Sequence, residues 1–397
     1  MFSKRVQQLN ESPIRKFAPL SRKAREAGKN VIPLNIGQPD LITPGVFYEA
    51  VKKAQTDIIA YMPSNGIDEL LEAFCNYYKR HNIDFKPKDL LITNGGSEAL
   101  LFTFAALCDE GDEILAFEPY YTNYKSLATI VGAHLKGIET TPETNFNLPS
   151  REIIENSIGE KSKAIIITNP SNPTGRVLKY EDVKMLVDIA IEKNIFIIAD
   201  EVYREFIYDA LEFVSFTHFP EIEQRLVLID SVSKRYNACG VRIGCIASKN
   251  EEFIAHCLKM CQARLSVAYI EQKGAAALLN SDDTFIEESR LEYQKRRNVC
   301  MKYIQKLEGV SCKMPQGAFY FIVKLPIKDA EDFVAWLLSD FDLDGDTIML
   351  CPASEYYTAE EKGRNEVRIS YCINCEKLER AMQVLDAGLK EYKRTHK

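Results

Sequence analysis

The chain has 397 residues, 46% of them hydrophobic, enough for one long α/β unit or a large domain with a smaller one. Lysine and arginine number 50 against 57 acidic residues, and the net charge of -7 gives no support to a nucleic-acid backbone as the main partner while leaving room for a locally basic pocket. No apolar run reaches the roughly 20 residues of a membrane helix, and Met1 to Asn10 lacks a signal-peptide core, so a soluble, cytoplasmic protein is expected.

The first forty or so residues contain Pro13, Pro19, Pro33 and Pro39, and 1–45 reads as an arm or as part of a small domain. Short β-branched runs then alternate with helical patterns. Leu90–Thr93, Glu113–Phe117, Ala164–Thr168, Phe196–Ala199, Leu226–Ile229 and Arg242–Ala247 read as buried strands. Between them Glu98–Leu107 and Glu181–Lys193 read as helices, the second with Val183, Leu186, Val187 and Ala190 on one face. This alternation predicts an α/β large domain over 46–285, with a mostly parallel sheet covered by helices. A long charged helix from Phe285 to Leu307 opens a different texture. Strands Ala318–Leu325, Thr347–Leu350 and Glu366–Tyr371 and helices Asp329–Leu338 and Glu376–Tyr392 follow, predicting a smaller α+β domain over 286–397. The 11 cysteines include one CxxC, Cys372 and Cys375, with no second pair or nearby histidine, so free thiols and no metal are expected.

Polar clusters follow the predicted strands, where an open parallel sheet binds ligands. They are Gly95-Gly96-Ser97, Asn169-Pro170-Ser171-Asn172-Pro173-Thr174-Gly175, Asp200-Glu201-Val202-Tyr203, Ser231-Val232-Ser233-Lys234 and Gly240-Val241-Arg242-Ile243-Gly244. Each alone reads as a turn, a loop, an N-cap or a surface lysine; their joint order is what carries information. With Asn35-Ile36-Gly37-Gln38-Pro39-Asp40 near one end and Val367-Arg368-Ile369-Ser370 near the other, the chain resembles the class I/II, fold-type I pyridoxal-phosphate aminotransferases.

That resemblance implies the following roles. Lys234 holds pyridoxal 5'-phosphate as a Schiff base and shuttles the substrate α-proton. Asp200 keeps the pyridine nitrogen protonated, which needs a carboxylate rather than an amide. Tyr203 and Asn172 hydrogen-bond the phenolic oxygen, and Tyr121 stacks on the ring unless it is a core tyrosine. Gly96, Ser97, Ser231, Ser233 and Arg242 bind the phosphate, joined by Tyr61 from the second subunit of a homodimer with shared active sites. Arg368 grips the α-carboxylate as a bidentate fork, with Gly37 and Asn172 completing the grip.

The substrate side chain is less specified. Ser97 stands where one subgroup carries a lysine for a distal carboxylate. Arg264 either reads that carboxylate across the dimer or is an ordinary surface or phosphate-side arginine. Cys351-Pro352-Ala353-Ser354-Glu355-Tyr356-Tyr357 departs from the Pro-Gly-Ser-x-Phe-Gly of many relatives, so Tyr356 or Tyr357 is expected to shape the pocket. The resemblance implies a ping-pong transfer from aspartate or an aromatic amino acid to a 2-oxo acid such as 2-oxoglutarate. A carbon–sulfur lyase acting on cystathionine or cysteine is the alternative. A non-enzymatic regulator would need a DNA-binding domain before Asn35, and a nicotinamide enzyme a GxGxxG after the first strand.

Overall fold

The computed structural model describes residues 1–396. Its strands are β1 (Asn30–Pro33), β2 (Leu90–Thr93), β3 (Glu113–Phe117), β4 (His134–Ile138), β5 (Ser162–Thr168) and β6 (Phe196–Asp200). They continue with β7 (Leu226–Ser231), β8 (Gly244–Ala247), β9 (Tyr320–Lys324), β10 (Asp346–Met349), β11 (Cys351–Pro352) and β12 (Glu366–Ser370). Seven form a central sheet in the order β2-β8-β7-β6-β5-β3-β4. β8 runs antiparallel to both neighbours and the other pairs are parallel. The expected α/β class with a mostly parallel, helix-covered sheet is the one observed.

The middle strands are apolar through their centres because both faces are covered there. Ile165, Ile197 and Leu228 enter one core, while Ile166, Ile198 and Val227 enter the opposite one. The helix Tyr180–Lys193 lays Val183, Leu186, Val187, Ile189 and Ala190 on the first core. It stops where Asn194 turns left-handed at φ 56°.

A second sheet, β11-β12-β9, is antiparallel. With helices Ala330–Ser339 and Cys375–Thr395 it encloses its own apolar cluster. β1 pairs in parallel with β10. Beyond it the Leu34 amide donates to Met349 and the Ser370 amide to Leu34, which carries Asn35 and Gly37 beside β12. Among the described residues no helix is long and apolar enough to cross a membrane.

Two local differences have physical causes. β4 escapes a search for apolar runs because it is the sheet's edge and reads His-Leu-Lys-Gly-Ile. The strand expected over Arg242–Ala247 starts only at Gly244, because Arg242 adopts φ 57° at the end of a 3-10 turn. That conformation is uncommon for a side-chain-bearing residue and is often found at functional positions.

Candidate active site

A cavity of about 630 Å³ opens over the carboxyl ends of the central strands, whose final residues Thr168, Asp200 and Ser231 line it. Lys234 enters from the short helix Val232–Arg235 that follows β7. The Ser231 hydroxyl caps that helix, accepting from the Ser233 amide at 3.1 Å. Behind it, buried Arg235 forks onto both oxygens of Asp230 at 2.9 Å and lies 3.8 Å from the Tyr77 ring centroid. The turn is thus pinned from the core, and the Lys234 amine projects into the cavity, donating to the Gly37 carbonyl at 2.7 Å.

At one end of the cavity the chain presents donors suited to an anion. Gly96 opens the helix Gly96–Leu107, and Ser97, Ser231, Ser233 and Arg242 share the same wall. The Arg242 guanidinium donates to the Cys239 carbonyl at 2.9 Å and the Asn94 carbonyl at 3.4 Å. A Cβ on Gly95, itself at φ 78°, would stand 2.3 Å from Arg242 Nη2. Glycine is therefore required there for the guanidinium to lie against the helix entrance.

Asp200 is buried, accepts a 2.5 Å bond from the Tyr124 hydroxyl, and has no cation paired with it among the described residues. Burial is the main cause that pushes its pKa up to about 6, with Asp230 and Glu201 adding repulsion and the Tyr124 bond opposing. A buried carboxylate of this kind is the complement of a protonated ring nitrogen.

At the substrate end, Arg368 on β12 is 1% exposed and faces no carboxylate among the described residues. It donates to Asn172 Oδ1 at 3.1 Å and to the Asn35 carbonyl at 2.5 Å, and its Nε has no partner. The guanidinium sits 4.5 Å from the Tyr320 ring centroid. Tyr320 and Tyr203 share a 3.0 Å hydroxyl contact. A Cβ on Gly37 would stand 1.7 Å from the Tyr320 hydroxyl. Gly37→Ala should therefore displace Tyr320 and unseat the Lys234 amine, at about 1–3 kcal/mol of overpacking. Thermal unfolding checks this; an unchanged melting point would contradict it.

The cavity brings together Gly37, Gly96, Ser97, Tyr121, Asn172, Asp200, Tyr203, Ser231, Ser233, Lys234, Arg242 and Arg368. Tyr121 faces it, whereas its neighbours Tyr120 and Tyr124 are buried in the core. Tyr61 lies outside this subunit's cavity and is 81% exposed. Arg264 also lies outside: Glu98 is 3.4 Å from its Nε, and it donates to the Ile92 and Ser64 carbonyls. Those contacts, rather than this subunit's cavity, hold its charge. The expectation that Tyr356 or Tyr357 shapes the pocket wall needs correcting. Tyr356 is buried behind Arg368, 5.5 Å from the guanidinium, and Tyr357 is bonded to Glu366.

Tyr124, Tyr320, Cys239 and Arg15 were not anticipated. Tyr124 stands in a run of tyrosines, and only the fold brings it to Asp200. Tyr320 lies within an apolar strand and reads as core. Cys239, 3.8 Å from the Lys234 amine, had its spacing of five residues as the one available signal.

An anion cradle, a half-buried amine and a buried carboxylate along one cavity suit a phosphorylated, protonated aromatic aldehyde, and pyridoxal phosphate fits that set. The buried arginine beyond them suits a carboxylate.

Comparison with known proteins gives a consistent picture. The model of the aminotransferase class I and II family matches residues 29–385. The aspartate aminotransferase of Bacillus subtilis (strain 168) is 30% identical over 391 residues, covering 96% of this chain and 97% of its own length. Aromatic-amino-acid aminotransferase 2 of Thermococcus litoralis is 32% identical over 398 residues, covering 98% and 99%. The crystal structure of an aspartate aminotransferase from Thermotoga maritima matches with a TM-score of 0.89 at 29% identity, over 98% of this chain and 100% of that one.

Proposed function

The chain belongs to the class I and II aminotransferases, and we propose that it transfers an amino group from aspartate or an aromatic amino acid to 2-oxoglutarate, using pyridoxal 5'-phosphate in a ping-pong cycle. The observation that carries this reading is one cavity holding the Lys234 amine, the Asp200 carboxylate and the Arg368 guanidinium. The cofactor, when bound, supplies an electron sink for the bond broken at the substrate α-carbon.

The remaining work falls to this chain's residues. Arg368, with Asn172 and the Asn35 carbonyl fixing its plane, binds the α-carboxylate and so fixes the α-carbon. Lys234, whose amine projects into the cavity, would take the proton from the substrate α-carbon and later return it. Asp200 holds the proton on the ring nitrogen, and Tyr124 holds Asp200. Tyr203 and Asn172 would hold the phenolic oxygen, and Tyr121 would pack against the ring. Gly96, Ser97, Ser231, Ser233 and Arg242 hold the phosphate.

The chain acts, on this reading, as a homodimer in which Tyr61 of each subunit completes the other's phosphate site. Ile58, Ile59 and Tyr61 are 77%, 65% and 81% exposed, an apolar surface suited to burial against a second copy. An arm over 1–45, a large unit over 46–285 and a small one over 286–397, in a cytoplasmic enzyme, complete the proposal. The pairing of β1 with β10 supports grouping the arm with the small unit.

A panel of amino donors with 2-oxoglutarate tests it. Stoichiometric glutamate with no ammonia is expected. Ammonia and pyruvate from cysteine or cystathionine, without glutamate, would point to a carbon–sulfur lyase instead.

A further inference from the structure

The proposed transfer gives Tyr203 a task but leaves its nearest polar neighbour without one. Tyr203 and Tyr320 are 3% and 2% exposed, and both line the cavity. Their hydroxyl oxygens lie 3.0 Å apart. Their rings meet edge to face, with centroids 5.7 Å apart. One hydrogen fits between two hydroxyls at that distance, so one tyrosine donates and the other accepts.

The surroundings of the pair decide which one donates. Tyr320 Oη has a second acceptor, the Gly37 carbonyl, at 3.4 Å, but that carbonyl already takes the Lys234 amine at 2.7 Å. The shorter contact, to Tyr203, is the better one for the Tyr320 proton. Burial, and after it the neighbouring Tyr320, hold the Tyr203 hydroxyl well above the usual tyrosine range, so Tyr203 keeps its own proton. With its oxygen receiving from Tyr320, that proton is left to point into the cavity, where the cofactor's phenolic oxygen belongs. The reverse arrangement would commit the Tyr203 proton to Tyr320 and leave none for the cofactor.

Tyr320 is placed for this from three sides. Strand β9 pairs it with Ser370, two residues past Arg368. The Arg368 guanidinium lies 4.5 Å from its ring centroid, and a cation over the ring draws electron density from the hydroxyl and strengthens it as a donor. Across the cavity, a Cβ at position 37 would stand 1.7 Å from the hydroxyl, so Gly37 leaves room for that oxygen and for nothing larger.

We propose that Tyr320 is a positioning residue: its hydroxyl donates to Tyr203 and so turns the Tyr203 proton toward the cofactor's phenolic oxygen. The inference rests on the aminotransferase reading and adds to it a residue that acts through Tyr203. A phenolic oxygen facing a stronger donor holds its negative charge more readily and draws a proton to the neighbouring Lys234 link less readily.

The test is a double-mutant cycle read by absorbance. The protein is loaded with pyridoxal phosphate and titrated with pH. The midpoint of its visible colour change is recorded for the unaltered chain, Tyr320→Phe, Tyr203→Phe and the double variant. Phenylalanine keeps each ring in place, so the packing of the cavity wall is preserved. Tyr320→Phe should raise the midpoint by about 0.4–1 pH unit, the worth of one neutral hydrogen bond. Tyr203→Phe should raise it by at least as much. In that background, loss of the Tyr320 hydroxyl should move it by less than about 0.3 unit, the tolerance of such a cycle. In turnover, Tyr320→Phe should lower kcat about two- to tenfold. KM for the amino donor should stay within about twofold, because the ring remains beside Arg368. An unmoved midpoint in Tyr320→Phe would overturn the assignment, and with a raised KM it would leave Tyr320 as a support for Arg368 alone. An equal shift with and without the Tyr203 hydroxyl would overturn it as well, because Tyr320 would then act independently of Tyr203. An unaltered protein that gains no visible band with the cofactor and transaminates no donor would instead sink the proposed function, and the role of Tyr320 with it.

Discussion

Lys234→Ala should abolish transamination, lowering kcat by about 10⁴-fold or more, because it removes both the covalent attachment and the base at the α-carbon. The protein should still fold. Lys234 makes one backbone bond inside the cavity, to Gly37, whereas the work of holding the turn falls to its neighbour. Arg235 is fully buried on Asp230 and over Tyr77, and its loss should cost about 3–5 kcal/mol as an orphaned buried pair. Comparing the two variants by thermal unfolding and by turnover separates a reacting lysine from a structural arginine. A Lys234→Ala variant with unaltered rate would contradict the assignment.

Asp200→Asn should lower kcat by about 10²–10³-fold, the usual consequence of removing one preorganised charge. It also makes a prediction about pH. The carboxyl's pKa in the fold is about 6, raised from 3.8 mainly by burial. Between those values the folded chain holds a proton that the unfolded chain has released, so stability falls as pH rises through this window. The cost of the buried charge is absent below 3.8 and complete above about 6. A protonated ring nitrogen beside the carboxylate offsets that cost. The rise in melting temperature on adding pyridoxal phosphate should therefore grow as pH increases through 6 and level off above it. In Asp200→Asn the dependence should disappear; its persistence would assign the titration to another group.

What could be read from the residues, and what could not, follows from how local each signal is. The runs that became β5, β6 and β7 are apolar through their centres because those residues meet one of two cores, and that pattern needs no partner to be seen. Lys234, Asp200 and Asn172 were legible because each sits at a strand end, in a motif whose order along the chain matches the order of a family. Arg368, in the middle of β12, was legible from its own short motif near the other end of the chain.

Tyr124 was not legible: its partner Asp200 lies 76 residues later, and nothing in a run of three tyrosines says which one turns inward. Tyr320 was hidden in the same way, since it is defined by Gly37 approaching across the β1 connection. Arg15 shows the limit most plainly. In a proline-rich arm it is one charge among several, and only the Ile14–Asn35–Arg368 chain of bonds brings its turn to the cavity wall. Arg264 pairs with Glu98 and donates to two carbonyls outside this subunit's cavity, and its role across a dimer is not a property of one subunit's local sequence.

The central claim is that Lys234 carries the cofactor, and it is tested most directly by trapping the link. The protein is loaded with pyridoxal phosphate, reduced with borohydride, digested and read by mass spectrometry. The account predicts the reduced cofactor's mass on the peptide containing Lys234, and its disappearance in Lys234→Ala. Stoichiometric label on any other lysine, or none on a protein that binds the cofactor, would contradict it.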